Sequence, residues 1–434
     1  MHNIEVLTLG LAAISLVATL NLAVSAPTPD PVPAKLCQMR LGLGNFFNKV
    51  NSGQPVTVAY FGGSITEANG WRPKTMAWFR QKYPSVKFTE VGAAIGGTGS
   101  YLGAYRCHND VLVHNPDLIF VEFAVNDGGD KPEAIWRQME GIVRQARKAN
   151  PKVDICYIYT FRTGYETSLL GGNNPPAASA DEKLAEYYGI PSINVALETV
   201  HRQQAGKLVY VSQKDAAGNP IPEPDGVTLW SHDGVHPTDA GHEIYAQVIE
   251  AALDQIASIP PVGDYPAKPP FVADNWENAK QAPITPSMLS SGWLVLSVDE
   301  GLGKQFHARM PQIWQANKPG ETLSFKFKGT AVNLYDILGP DGGEAIVSLD
   351  GKVIRTIPLF DSYCSYYRLN TLAIASGLPD EIHTVKIELS PDQPDRTPAS
   401  KQEKGAFDPK KYDGTVLRFG SIMLIGDVVE NPAK

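Results

Sequence analysis

The chain has 434 residues, more than one ordinary hydrophobic core organises, so two domains are expected. Apolar residues make up 43% and charged residues 19%, the composition of a globular rather than a disordered protein. A net charge of −8 with no long Lys or Arg run argues against nucleic acid and anionic membrane surfaces as partners.

Residues 7–24 are almost wholly apolar, and Val24-Ser-Ala26 offers small residues suited to signal-peptidase cleavage. Residues 1–26 therefore read as a signal peptide, and the mature chain as secreted or periplasmic, with no stable membrane partner after cleavage. An uncleaved anchor is the alternative, because no Lys or Arg precedes the run. Pro27-Thr-Pro-Asp-Pro-Val-Pro33 opens an N-terminal extension, 27–53.

From 54 to 257 apolar strand patterns alternate with helical ones. Strands are expected at Val56–Phe61, Val86–Val91, Leu118–Phe123, Val153–Tyr159 and Ser192–Val195. Helices are expected at Arg72–Tyr83, Leu102–His114, Pro132–Ala149, Ala178–Tyr188 and Asp239–Ile256, the last with Thr238 placed to cap it. Such alternation indicates a parallel sheet covered on both faces, with ligands bound beyond the carboxyl ends of the strands. Residues 258–274 carry five prolines and read as a linker. From 275 to 434 the texture changes to short strands, expected at Thr322–Lys328, Ala331–Ile337, Ala345–Leu349, Val353–Pro358, Thr384–Leu389 and Val416–Ile425. Asp350-Gly351 is a hairpin turn signal between two of them. This spacing predicts a β-sandwich of jelly-roll type, cored independently of the first domain. A chain ending near Pro260 is therefore expected to keep its activity on a small soluble ester.

Two segments about 170 residues apart carry chemistry. Val56-Thr-Val-Ala-Tyr-Phe-Gly-Gly-Ser-Ile-Thr66 is an apolar strand ending in two glycines and a serine. Ser231-His-Asp-Gly-Val-His-Pro237 puts Asp233 and His236 three residues apart, before the capped helix. Ser64 as nucleophile, His236 as base and Asp233 as its orienting acid form the minimum set for serine acyl transfer. The oxyanion needs donors. Candidates are the N–H of Ser64, the N–H of Gly97 in Ala94-Ile-Gly-Gly-Thr-Gly-Ser100, and the side-chain amide of Asn126 in Glu122-Phe-Ala-Val-Asn-Asp127. His232, Asp233, His236, Asp239 and His242 also crowd together, which opens a metal reading. Their histidines are spaced four and six apart across a loop and a helix start, unlike two ligands on one helix face. The serine chemistry requires no metal or organic cofactor. Cys37, Cys107, Cys156 and Cys364 allow three pairings, and Cys156, inside an apolar strand, reads as a packed thiol. No GxSxG occurs, so the nucleophile elbow of α/β-hydrolases is not supported.

The set Gly62-Gly-Ser-Ile-Thr66, the glycine loop 96–99, Asn126-Asp127 and Asp233-Gly-Val-His236 resembles the four blocks of the SGNH (GDSL-type) hydrolases, in order and in spacing. The resemblance covers residues 54–257. It implies a flavodoxin-like three-layer α/β/α fold, with Ser64, Asp233 and His236 as the triad and Ser64, Gly97 and Asn126 as the oxyanion hole. Gly63 stands where GDSL has Asp, Gly92 where Asn is frequent, and Ala124 where Gly often stands. Glu67, Trp71, Arg72 and Arg106 lie near the motif loops and are candidate substrate contacts, with loop packing or salt bridges as the plainer reading. Trp276, Trp293 and Trp314 could stack on sugar rings, although core packing is expected for at least two of them.

The expected substrate is an acylated carbohydrate, most simply an O-acetyl ester. Secretion offers polymers as substrates, and a sandwich joined to an SGNH domain resembles the layout of secreted carbohydrate esterases. A lipid or thioester acylhydrolase of the same fold, and a glycan-binding protein with an inactive site, are the rival readings.

Overall fold

The computed structural model describes residues 31–397 and 408–429; the expected signal peptide lies outside the described residues. The first sheet has six strands: β1 (Cys37–Gln38), β2 (Val56–Gly62), β3 (Phe88–Gly92), β4 (Leu118–Glu122), β5 (Asp154–Tyr159) and β6 (Ser192–Asn194). Their order is β1-β6-β5-β4-β2-β3, with β2 to β6 parallel and β1 antiparallel at the edge. The parallel strands thus follow the flavodoxin-like doubly wound order, whose ligand crevice opens where the winding reverses, between β2 and β4.

Alternation along the strands explains the layers. Val58, Tyr60, Phe120 and Ile158 point to one face, where they meet α1 (Gly44–Asn51), α3 (Trp71–Lys82), α8 (Val195–Gln204) and α9 (Asp239–Ile256). Ala59, Phe61, Val121 and Tyr157 point to the other, against α4 (Ser100–Asp110), α5 (Pro132–Ala149) and α7 (Pro176–Tyr188). The short α2 (Ser64–Glu67) follows β2, and α6 (Glu166–Leu170) follows β5. A two-stranded ribbon, β7 (Leu208–Val209) and β8 (Thr228–Leu229), leads into the loop before α9. Sequence patterning misses α1, because its span is short and carries no cap. Yet Phe46 and Phe47 are fully buried, each worth about 1.5–3 kcal/mol of burial.

The C-terminal domain is an antiparallel β-sheet domain. Its strands are β9 (Ala279–Pro283), β10 (Leu294–Val295), β11 (Trp314–Ala316), β12 (Thr322–Leu338), β13 (Glu344–Leu349), β14 (Lys352–Pro358), β15 (Arg368–Leu389) and β16 (Leu417–Val429), with the short α10 (Gly301–Phe306) between β10 and β11. They hydrogen-bond as one eight-stranded sheet. The strands expected on either side of Lys328-Gly329 are one strand with a register shift, not a hairpin. A Cβ on Gly329 would lie 2.2 Å from the carbonyl oxygen of Ile425, and one on Gly426 2.2 Å from that of Lys328. Glycine lets β12 and β16 approach closely there, in the gap between the two expected strands. The first half of β15 escapes prediction for a related reason: its residues are mostly half-exposed and lack a clean period of two.

The two domains share a core. Leu323, Phe325, Phe327, Val332 and Leu334 pack into a core within the C-terminal domain. Tyr335 and Ile337 from β12, Met423 from β16, and Phe306, Met310 and Ile313 instead join the apolar cluster of α4, α5 and β2. Asn333 donates to the Tyr105 hydroxyl at 3.0 Å, and Trp276 packs against Tyr101 and Tyr105. The proline-rich stretch is pinned as well. Tyr265 donates to Asp154 at 2.7 Å, and the N–H groups of Phe271 and Val272 donate to the Glu140 carboxylate at 2.5 and 2.8 Å. No helix among the described residues is long and apolar enough to cross a membrane. All four cysteines are free thiols, and Cys156 is fully buried, where desolvation pushes its pKa up.

Candidate active site

β2 delivers the chain to Gly62, and Ser64 opens α2 immediately beyond it. The N–H of Gly63 donates to the Glu122 carbonyl at 3.2 Å, which fixes the exit angle. A Cβ at Gly63 would lie 2.1 Å from Asn126 Oδ1. That accounts for glycine where the related pattern has Asp: the Asn126 side chain occupies the space. Gly96 and Gly97 cross above the serine; a Cβ on Gly96 would lie 3.6 Å from that of Ser64. Gly97 holds φ +71°, a conformation that favours glycine, with open space around it. Asn126 is exposed, and its side-chain amide has no hydrogen-bond partner among the described residues.

The partner loop is built on its own hydrogen bonds. Thr238 caps α9 by accepting from the Gly241 N–H. Asp233 Oδ1 accepts from the backbone N–H groups of Val235 and His236, both at 2.9 Å, and from the Ser231 hydroxyl at 3.0 Å. Its Oδ2 lies 2.7 Å from His236 Nδ1, and His236 Nε2 lies 2.8 Å from Ser64 Oγ. Burial pushes the Asp233 carboxyl up, but the bonds from His236 and Val235 outweigh it and hold it well below the usual carboxylate range. A carboxylate on Nδ1 fixes the tautomer with the proton there. Nε2 is left as the acceptor that faces the serine hydroxyl.

The family model for GDSL-like lipases and acylhydrolases matches residues 60–244, a span holding all of these groups. The α/β domain is similar to this family over nearly its whole length. That match supports a hydrolase domain for ester bonds. Its whole two-domain outline is similar to the crystal structure of a two-domain esterase (CEX) active on acetylated mannans, co-crystallised with mannopentaose. The identity is 19%, the match covers 91% of this chain and 98% of that one, and the TM-score is 0.67. A second crystal structure of a two-domain esterase of that description matches at 20% identity, over 90% and 97%, with the same TM-score. At these identities the likeness is one of fold. An acetyl xylan esterase is similar over 45% of this chain and 99% of its own, at 19% identity and TM-score 0.36. No curated protein matches the sequence.

Behind Ser64 sits Glu122, fully buried. It accepts from Thr66 Oγ1 on α2 and from Thr160 Oγ1 after β5, both at 2.8 Å. Desolvation raises its pKa to about 7 against those bonds. Asp127, also buried, accepts the Ser100 N–H at 2.9 Å and is likewise raised to about 7 by burial. Glu122 was legible as a charge inside the apolar run Leu118–Phe123, a position that must be satisfied by hydrogen bonds.

The candidate substrate contacts divide. Trp71 is 0% exposed and packs on Tyr60 and Phe120, so it is core, not substrate wall. Arg106, 1% exposed, is spent on the carbonyls of Ala93 and Gly62 and on Asp110 at 2.9 Å. It braces the ends of β2 and β3 from beneath. Arg72 pairs with Glu90 and donates to the Thr66 carbonyl. Glu67 alone reaches the mouth, exposed, with Oε2 accepting the Gly96 N–H at 2.9 Å. Trp293 and Trp314 are core residues of the C-terminal domain.

The histidine-rich run does not converge. His242 is buried, with Nδ1 accepting the Trp71 N–H at 3.3 Å, and burial lowers its pKa to about 4. It ties the segment after α2 to the start of α9, while His232 is exposed. The described residues contain no group of three or more metal-ligating side chains. A cleft of about 840 Å³ opens between the domains beside Trp276 and Lys328 and includes none of the Ser64, Asp233 or His236 side chains.

Proposed function

We propose that this chain is a serine esterase that removes O-acetyl groups from carbohydrate, and that it acts outside the cytoplasm. The observation carrying the chemistry is the chain Ser64 Oγ–His236 Nε2–Asp233, at 2.8 and 2.7 Å. His236 takes the serine proton as Oγ attacks the ester carbonyl, and Asp233 stabilises the imidazolium. The N–H groups of Ser64 and Gly97 and the Asn126 amide receive the oxyanion. Collapse of the tetrahedral intermediate breaks the ester C–O bond, and His236 returns its proton to the departing sugar oxygen, which leaves as the hydroxyl. Water, deprotonated by the same His236, then releases acetate and frees Ser64. The carbohydrate substrate is supported by a layout matched end to end with an esterase active on acetylated mannans. Export is supported by the apolar run 7–24 and its small-residue ending.

A panel of esters tests the substrate class. Acetylated manno- and xylo-oligosaccharides should be turned over with higher kcat/KM than acyl esters of eight carbons or more. The reverse ranking would make the enzyme a lipid acylhydrolase. A second measurement tests the oxyanion assignment. Asn126→Ala should lower kcat by about 10²–10³ with KM little changed, as for loss of one preorganised donor. An unchanged kcat would leave Asn126 as a loop residue that only requires glycine at 63.

A further inference from the structure

The C-terminal domain sends one side chain to the catalytic loop. Arg309 lies between α10 and β11, and its segment is anchored on both sides by the buried Phe306, Met310 and Ile313. Its Nη2 donates to the Ala94 carbonyl at 2.7 Å, and its Nη1 to the Gly92 carbonyl at 3.4 Å. Nη2 also stands 3.9 Å from Glu67 Oε1, whose other oxygen holds the Gly96 N–H at 2.9 Å. Glu67 stands three residues after Ser64 on α2, so a guanidinium from one domain and a carboxylate beside the nucleophile grip the same loop. No other feature of Arg309 accounts for these bonds: its guanidinium is spread over two carbonyls and a carboxylate of the other domain. The planar fork of arginine suits that divided task, whereas a lysine ammonium would hold one partner at a time.

We propose that Arg309 is a positioning residue for the oxyanion loop 94–97, so that the docked C-terminal domain sets the turnover rate of the α/β domain. This rests on the reading that Gly97 supplies an oxyanion donor. The carbonyls of Gly92 and Ala94 fix where the loop leaves β3, and the Glu67 carboxylate fixes the Gly96 peptide, one residue before the donor. A donor held off by a fraction of an ångström stabilises the oxyanion less than one held in place.

The test uses the full chain and p-nitrophenyl acetate, a small acetyl ester without a sugar. Arg309→Ala should lower kcat about tenfold to 10²-fold with KM nearly unchanged, less than outright loss of a donor. Glu67→Ala should cost a similar factor. The double variant should be far less impaired than the product of the two, because both act through one loop. Arg309→Lys keeps the charge and serves if the alanine variant folds poorly; at an unchanged Tm it should still lose several-fold in kcat. Asn109→Ala, which removes the 3.3 Å bond from α4 to Gln281 away from this loop, should keep wild-type kcat. Wild-type kcat in both Arg309 variants, a loss confined to KM, or an equal loss in Asn109→Ala would overturn the proposal. If Ser64→Ala is inactive while Arg309→Ala is fully active, this proposal alone falls. If Ser64→Ala keeps activity, the oxyanion reading falls and this proposal with it.

Discussion

Ser64→Ala is expected to lower kcat on a small acetyl ester by at least about 10⁴-fold, leaving the rate that donors and binding alone sustain. The 2.8 Å contact between Oγ and His236 Nε2 gives the serine its base, and nothing else at the end of β2 can take its place. Thr66, the next hydroxyl along the chain, is buried and committed to Glu122. His236→Ala should be about as damaging, and the double substitution hardly worse than either, because the two groups act as a unit. A fluorophosphonate should place one adduct on the peptide carrying Ser64 and none on the Ser64→Ala protein. Retained hydrolysis, or an adduct on another serine, would remove the covalent mechanism.

A chain ending near Pro260 is expected to lose both its cooperative fold and its activity. This reverses the expectation drawn from the proline-rich stretch and the turn-rich second half. The cut strips Tyr265 from Asp154 and the Phe271 and Val272 N–H groups from Glu140, leaving two buried carboxylates short of donors. It also uncovers the α4–α5 face, where Tyr101, Leu102 and Tyr105 are covered by Trp276, Tyr335 and Met423. Each large side chain returned to water costs about 1.5–3 kcal/mol. A handful of them matches the 5–15 kcal/mol that holds a typical domain together. Thermal melts by circular dichroism, with p-nitrophenyl acetate turnover on the same samples, decide the matter. A truncated chain that melts cooperatively near the full-length Tm and keeps wild-type kcat would show that the interface is dispensable and that Arg309 does no positioning.

What the sequence determined by itself is local. Strand and helix periods placed β2 to β6 and α9 within a few residues, because period two and period 3.6 are written in consecutive side chains. The Gly-Gly-Ser strand end, the Asn126-Asp127 pair and the Asp233/His236 loop could be read for the same reason. Each is a short motif whose geometry its own backbone imposes, as the bonds from Val235 and His236 to Asp233 show. The tertiary structure decided whatever depends on which surface covers which. Trp71 and Arg106 stood beside the motifs in sequence, yet folding turned one into core and the other into a brace beneath the strands. Gly329 fell in the gap between two expected strands but marks the close approach of two paired strands, since only the partner strand reveals the contact. Arg309 reaches Ala94 across 215 positions of chain. A contact of that separation imposes no period and no neighbouring motif, so it exists only once the C-terminal sheet has docked on α4.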